Sequence, residues 1–500
     1  MPTLSIALLL IAGGAAFALQ LRHVWPFTAD DAFITFRYAQ NWVAGYGPNF
    51  NAGGPRAEGV TSFGYLIVCA LPELLGIDPV AFAKAVGVAN ALATAWLAAR
   101  LARELSEGSA LAAAFAAALW LGCYATAIHA ASGMETLLAA ALLTALVHAH
   151  VRPGASGYAI GALSLAAGLV RPELNAAAGL LLALALWRSP APRRAGIARG
   201  AALAYLLPGA LYFAARATYY GHLLPIPFYQ KIAGGPLFPA ADDVIAFGRA
   251  LLAYGGALFL AVGTVHAPRR FDPAWLAIFA VMAVGLLPDP VMDFDFRYCM
   301  PAAPVAFAIA GAGFARIALL VAAWRPARAP IPVVTAAAIA LAAAGGYEPA
   351  RDALRERRAY GDALAATNVR LGNVLADYRR TAASAPVLAI GDAGAIPYYS
   401  GLRAIDTFSL NDPVIAIEGR DDPAYVLDQH PDLVVVISEQ GREFHAHWAN
   451  RHDGPLFEAC RARGMQPAVI LSFSARSFLY LMAQPGSEIA RHLQRVYLQR

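Results

Sequence analysis

Apolar runs of about 17–22 residues recur along this chain as far as residue 347, each ending at a short polar or arginine-bearing segment. Wound as a helix, such a run crosses the ~30 Å hydrocarbon core of a bilayer, where a backbone must satisfy its own hydrogen bonds. The feature restricts the chain to a polytopic α-helical membrane protein. Composition agrees: of 500 residues, 59% are hydrophobic and 14% charged, with a mean hydropathy of +0.52. Those values exclude an ordinary soluble globular protein. An isoelectric point near 9.0 would elsewhere suggest nucleic acid, but here the basic residues mark topology. Cys69, Cys123, Cys299 and Cys460 show no C-x-x-C spacing, so neither a disulfide framework nor a thiolate metal site is expected.

The runs predict spanning helices near residues 3–22, 79–100, 109–130, 134–151, 157–170, 174–188, 200–217, 245–265, 272–288, 300–322 and 330–347. The stretch 60–77 is not counted, because Pro72 and Glu73 stand near its centre and it runs straight into the next span. A helix lying on the membrane surface suits it better. With the N-terminus cytoplasmic, the inner loops hold Arg100, Arg103, Arg152, Arg188, Arg193, Arg194, Arg199, Arg269, Arg270, Arg325 and Arg328. Every arginine-rich short loop then falls on one side, as the positive-inside rule requires, and eleven spans are expected. The first run lacks a basic n-region and a cleavage site, so it is expected to remain as an anchor. The expected location is a bacterial inner membrane, with the active face toward the periplasm.

From Glu348 the composition changes. RDALRERRAYGDALAATNVRLGNVLADYRR reads as a charged amphipathic helix, and VLAI (387–390), DLVVVI (432–437), AVILSF (468–473) and SFLYLM (477–482) read as strands. Two domains are expected: a transmembrane domain over 1–347, whose first outer loop (23–78) carries juxtamembrane helices, and a soluble α/β domain over 348–500. Eleven spans put that tail outside. IGDAGAIPYYSG lacks G-x-G-x-x-G, and Pro397 with its paired tyrosines is expected not to open a helix, so nucleotide binding is not expected.

The acids are asymmetric: Glu104, Glu107 and Asp272 lie inside, against twelve at the outer ends of spans or in outer loops. Loop one holds Asp30, Asp31, Arg37, Tyr38, Asn51 and Glu58. Later outer loops add His129 and Glu135; Arg171 and Glu173; His222, Tyr229 and Lys231; and Asp293, Asp295, Arg297 and Tyr298. The plain alternative is a solvated rim with structural ion pairs, Arg171 with Glu173 and Arg297 with Asp295. Lys231, one of only two lysines, has no acid within ten residues and would serve a phosphate. Carboxylates, cations and aromatics at an outer membrane surface suit glycosyl transfer from a lipid-linked sugar phosphate. A carboxylate takes the acceptor proton, and Lys231, Arg297 and Arg37 are candidates to meet the departing phosphate. Adjacent aspartates diverge by ~100° on a helix, so one faces the cleft while the other orients it or binds a cation. Helix capping would account for Asp30 alone. Of the pair, Asp30 is preferred as the base.

DDAFITFRYAQNWVAGYGPNFNAGGPRAEGVTSFGYL resembles the first outer loop of the superfamily C (GT-C) glycosyltransferases, nearest the terminal arabinofuranosyltransferase (AftB-like) type. SGMET (132–136), RPE (171–173), YYGHLLPIPFYQK (219–231) and FRYCMP (296–301) resemble later outer motifs of that family. The resemblance implies a GT-C fold and a polyprenyl-phosphate-linked sugar donor, arabinofuranose favoured, used on the periplasmic face. The acceptor would be an envelope glycan, lipid or protein. Asp30 and Asp31 match the catalytic positions. Arg37, Tyr38, Glu135, Arg171, Glu173, His222, Tyr229, Lys231, Asp295 and Arg297 are expected on the donor, and Asn51 and Glu58 on the acceptor. His222 departs from the acidic or amide residue the family pattern leads one to expect. No cofactor or metal is expected, although twin aspartates would suit Mg²⁺ or Mn²⁺. The competing functions are a flippase of lipid-linked sugars and an oligosaccharide ligase using a lipid-diphosphate donor.

Overall fold

Alanine- and leucine-rich stretches wind into helices because these residues lose little entropy there and expose no polar group to lipid. A computed structural model describes residues 2–232, 239–266, 268–287, 293–324, 350–420, 422–447 and 452–498. Among them, four helices are long and apolar enough to cross a bilayer: Thr3–Val24, Pro79–Leu105, Ala191–Tyr220 and Phe294–Ala323. Two bent pairs raise the number to six, and Thr136–Val151, Gly157–Val170, Leu174–Arg188 and Phe271–Gly285 are shorter apolar helices. The eleventh expected span, 330–347, lies outside the described residues.

Two of the expected spans are broken. Ala110–Gly122 and Tyr124–Ala131 meet at 58°, and the Thr126 hydroxyl donates to the Trp120 carbonyl freed by the break (2.8 Å). Ala241–Gly255 and Ala257–Val265 meet at 82°, where Gly256 takes a φ of +70° that suits glycine. The helices pack through small residues: a Cβ at Gly313 would stand 1.8 Å from the Phe259 carbonyl. Phe63–Leu75 is a separate 13-residue helix, in the stretch read as a surface helix.

The tail begins with a rod running through 350–364, a π-helical turn Ala365–Val369, and Arg370–Thr381. Strands β1 (Val387–Ile390), β2 (Arg403–Asp406), β3 (Leu433–Ser438), β4 (Gln466–Ser474) and β5 (Ser477–Ala483) then form one sheet ordered β2-β1-β3-β5-β4. β1 pairs in parallel with β2 and β3, while β5 pairs antiparallel with β3 and β4. The sheet includes all four expected strand runs; the short edge strand RAID was not foreseen. Alternation sends Leu388 and Ile390 into a core continuous with the membrane helices, and Ala389 into a second core with Val434, Val436 and Phe457. One correction falls here: AIPYYS does form a helix, Ala395–Ser400. Pro397 is its third residue, where an N–H has no intrahelical acceptor to lose.

The tail docks on loop one. Arg37, in the helix Asp30–Asn41, donates to the carbonyls of Leu402 (2.6 Å) and Pro397, while Asn51 exchanges two 2.9 Å hydrogen bonds with the Ala404 backbone. Tyr398 donates to Glu73 of the Phe63–Leu75 helix (3.2 Å). Loop one and the tail therefore lie on one side of the helical bundle. At the opposite ends of the bundle, Arg188 pairs with Asp272.

Candidate active site

The helix Asp30–Asn41 has Ala29 as its N-cap, with no side-chain cap, so the capping role considered for Asp30 does not apply. The two aspartates are instead the first helical residues, and they diverge. Asp30 turns into the tail and is 6% exposed. Its carboxylate accepts from the Gly394 N–H (3.1 Å), the Ala395 N–H (3.0 Å) and the Asn368 amide (3.5 Å). Burial, then the charge of Asp392, raises the Asp30 carboxyl. Asp392 is an exposed residue, yet the surrounding protein mass, then Asp31, raises its own carboxyl. Asp31 faces the other way, 26% exposed, into a cavity of ≈ 220 Å³.

The lining of that cavity is mixed: Asp31, Glu135, Arg171, Glu173, Arg297 and Tyr298 share it with Ile34, Val60, Val170, Phe228, Val281 and Leu287. The polar groups form a charge network. Glu135 lies between Arg171 (2.9 Å) and Arg297 (3.2 Å). Arg171 also reaches Glu173 (3.5 Å), and Arg297 stands 3.9 Å from Asp31. Burial by itself would raise the Glu135 carboxyl, but Arg297 and Arg171 overcome it and hold it at about 2. Glu135 thus supplies a fixed counter-charge to both guanidiniums in a partly apolar chamber.

Arg297 comes from a tightly wound segment. Asp295 and Phe296 take φ values of +49° and +63°, left-handed conformations that cost about 1–3 kcal/mol each for residues other than glycine. The Asp295 carbonyl hydrogen-bonds His129 Nε2 (3.0 Å), and Arg171 donates to the Arg297 carbonyl (2.9 Å). The expected Arg297–Asp295 pair is not formed: Asp295 pairs with Arg357 of the tail (2.7 Å), and Arg297 pairs with Glu135 and Asp31.

Of the residues expected at the site, the cavity brings together Asp31, Glu135, Arg171, Glu173 and Arg297. The others are placed elsewhere. Arg37 is buried and spends its guanidinium on Phe50, Pro397 and Leu402 carbonyls and on Asn51; burial lowers its pKa to about 9. Tyr38 accepts from the Gly59 N–H (2.8 Å) and donates toward Ala57 and Asn411. Asn51 binds the tail backbone, and Glu58 is buried against Arg216 (2.9 Å). His222 and Tyr229 are not among the lining residues, which take Pro227 and Phe228 from their loop; the Tyr229 hydroxyl accepts from the Leu224 N–H (3.3 Å). Lys231 is the next-to-last residue of the helix Ile226–Ile232, and its side chain lies outside the described residues.

Sequence reasoning missed Arg357, Asn368, Asp392 and Leu410, a tail residue that lines the cavity. Only Arg357 carried a signal, within the basic run RERR of the charged amphipathic helix. Among the described residues, no group of three or more His, Cys, Asp or Glu could hold a metal ion.

The fold is GT-C-like. Residues 357–469 match a domain of unknown function (DUF8728). No curated protein matches the chain in sequence. Among solved structures, it is similar to ArnT from Cupriavidus metallidurans bound to undecaprenyl phosphate, at 13% identity and a TM-score of 0.62 over 96% of this chain and 97% of that one. The apo state of the same protein gives 0.60 at 13% identity, over 96% and 97% of the two chains. The archaeal oligosaccharyltransferase AglB from Archaeoglobus fulgidus, in complex with an inhibitory peptide and a dolichol-phosphate, is similar at 13% identity and 0.51, over 86% of this chain and 69% of that one.

Proposed function

We propose that the protein is an integral-membrane glycosyltransferase that moves a sugar from a polyprenyl-phosphate donor to a cell-envelope glycan, lipid or protein. The observation that carries this reading is the mixed lining of the cavity, with Asp31 3.9 Å from Arg297 and apolar side chains such as Ile34, Val60 and Phe228 lining the same space. A polyprenyl phosphate likewise joins a charged group to hydrocarbon. The undecaprenyl phosphate and dolichol-phosphate held by the two structural neighbours support the same ligand class.

In this mechanism the donor phosphate lies against Arg297 and Arg171, and the anomeric carbon points toward Asp31. An acceptor hydroxyl attacks that carbon and gives its proton to the Asp31 carboxylate. The bond from the anomeric carbon to the phosphate oxygen breaks, and the phosphate leaves with the electron pair. The two guanidiniums, already fixed by Glu135, stabilise that departing charge without reorganising. Glu173 and Tyr298 offer hydrogen-bonding groups to the sugar. Asp31 takes the role of base because it is the loop-one carboxylate in the cavity, whereas Asp30 is committed to the tail.

The loop-one resemblance favours arabinofuranose as the sugar and the periplasmic face of a bacterial inner membrane as the place. Full-length protein in nanodiscs, given a polyprenyl-phosphoryl pentose and envelope extract in EDTA, should release polyprenyl phosphate and glycosylate the acceptor. Lipid movement between leaflets without phosphate release would identify a flippase instead. Activity that needs a lipid diphosphate and divalent metal would identify a ligase.

A further inference from the structure

Two polar groups of the cavity have sequence neighbours gripped by the tail. Asp31 follows Asp30, whose carboxylate is held by Gly394 and Ala395; Arg297 lies two residues after Asp295, whose carboxylate is held by Arg357. The second grip is the more informative. Arg357 lies in the helical rod of 350–364, outside the cavity lining, and its Nε is 2.7 Å from Asp295 Oδ2. Its guanidinium also lies 5.5 Å from the ring centroid of Phe294, which itself stacks edge-on against Phe27 at 5.5 Å. The pair is enclosed, with the Asp295 side chain 5% exposed.

Asp295 and Phe296 are both left-handed, an arrangement that persists only where surrounding contacts over-determine it. The carbonyl of Asp295 is held by His129, and its side chain by Arg357. Release of the carboxylate removes the sole ion pair of Asp295 among the described residues and lets the backbone return to a commoner conformation. The next residues in line are Arg297 and Tyr298, both in the cavity. We infer that Arg357 is a positioning residue for donor binding, acting through Asp295 to set the reach of Arg297. This deepens the proposed function, and rests on it, because the tail then braces the donor-phosphate arm from outside the cavity.

The test uses full-length protein in nanodiscs with a polyprenyl monophosphate as the probe, followed by native mass spectrometry and transfer kinetics. Arg357→Ala should weaken probe binding by roughly tenfold to a hundredfold, the scale of an ångström-level misplacement. It should raise the donor KM and leave the acceptor KM unchanged. Arg357→Lys, which keeps the charge, should recover most of the binding. Asp295→Asn, close in shape to the native side chain, should reproduce the Arg357→Ala defect from the other side of the pair and covers the case in which Arg357→Ala fails to fold. Because Arg357 acts through Arg297, the double variant Arg357→Ala/Arg297→Ala should bind no worse than Arg297→Ala alone. Additive losses in the double variant, or wild-type affinity in Arg357→Ala, would overturn the inference while leaving the function intact. A wild-type protein that neither binds the monophosphate nor transfers from its sugar derivative would overturn both.

Discussion

Substituting the two loop-one aspartates separately should give opposite phenotypes. Asp30 is 6% exposed and accepts two backbone N–H groups at the start of the helix Ala395–Ser400, with Asn368 as a third donor. Asp30→Ala strips two buried N–H groups of their acceptor, at about 1–3 kcal/mol each, so docking of the tail should weaken by about 2–6 kcal/mol. Asp31 is 26% exposed, and Asp31→Asn preserves its shape. Stability should then change by no more than about 0.5 kcal/mol. Turnover should fall by about 10²–10⁴-fold, the usual contribution of a general base. The assay pairs proteolytic protection of the tail with transfer from a polyprenyl-phosphoryl sugar, on the same purified variants. The assignment is refuted by an Asp31→Asn protein that turns over normally. It is equally refuted by an Asp30→Ala protein that loses turnover while its tail stays fully protected.

Glu135 separates two guanidiniums, so Glu135→Gln should cost about 3–5 kcal/mol, measured as a lowered unfolding midpoint. Because its folded carboxyl is held at about 2, below the ordinary 4.5, that stabilisation is complete above about pH 4.5 and is lost as pH falls toward 2. Glu135→Gln should flatten the acid limb of a stability-against-pH curve. Arg37 serves four acceptors in a fork that lysine cannot reproduce, so Arg37→Lys should loosen the tail, read as faster proteolysis between 381 and 413. A Cβ at Gly59 would stand 1.9 Å from Asn411 Oδ1 and 2.7 Å from the Leu410 carbonyl. Gly59→Ala should therefore displace Leu410 from the cavity wall, costing about 1–3 kcal/mol and raising the donor KM.

Residue order alone carried the membrane class, the polar loops that gather at one end, and four of the five strands. Hydropathy, helical period and strand alternation are local properties, so a window of ten to twenty residues displays them. The amphipathic rod was legible for the same reason, although its RERR segment gave no hint that Arg357 points inward to an acid 62 residues earlier. The breaks at Cys123 and Gly256 were not foreseen, because a glycine inside an apolar run is compatible with a straight helix until packing selects the bend.

The sequence by itself determined that two carboxylates open the helix after the first apolar run; it could not say which one looks into the cavity. That choice follows from the tail, whose Gly394 and Ala395 lie more than 360 residues away and present N–H groups only after the parallel strands have brought them to loop one. Arg297 likewise found its counter-charge in Glu135 rather than in nearby Asp295, because the left-handed turn and Arg357 hold the two side chains apart. Charge partners are decided by distance in space and by burial, and both exist only once the chain has folded.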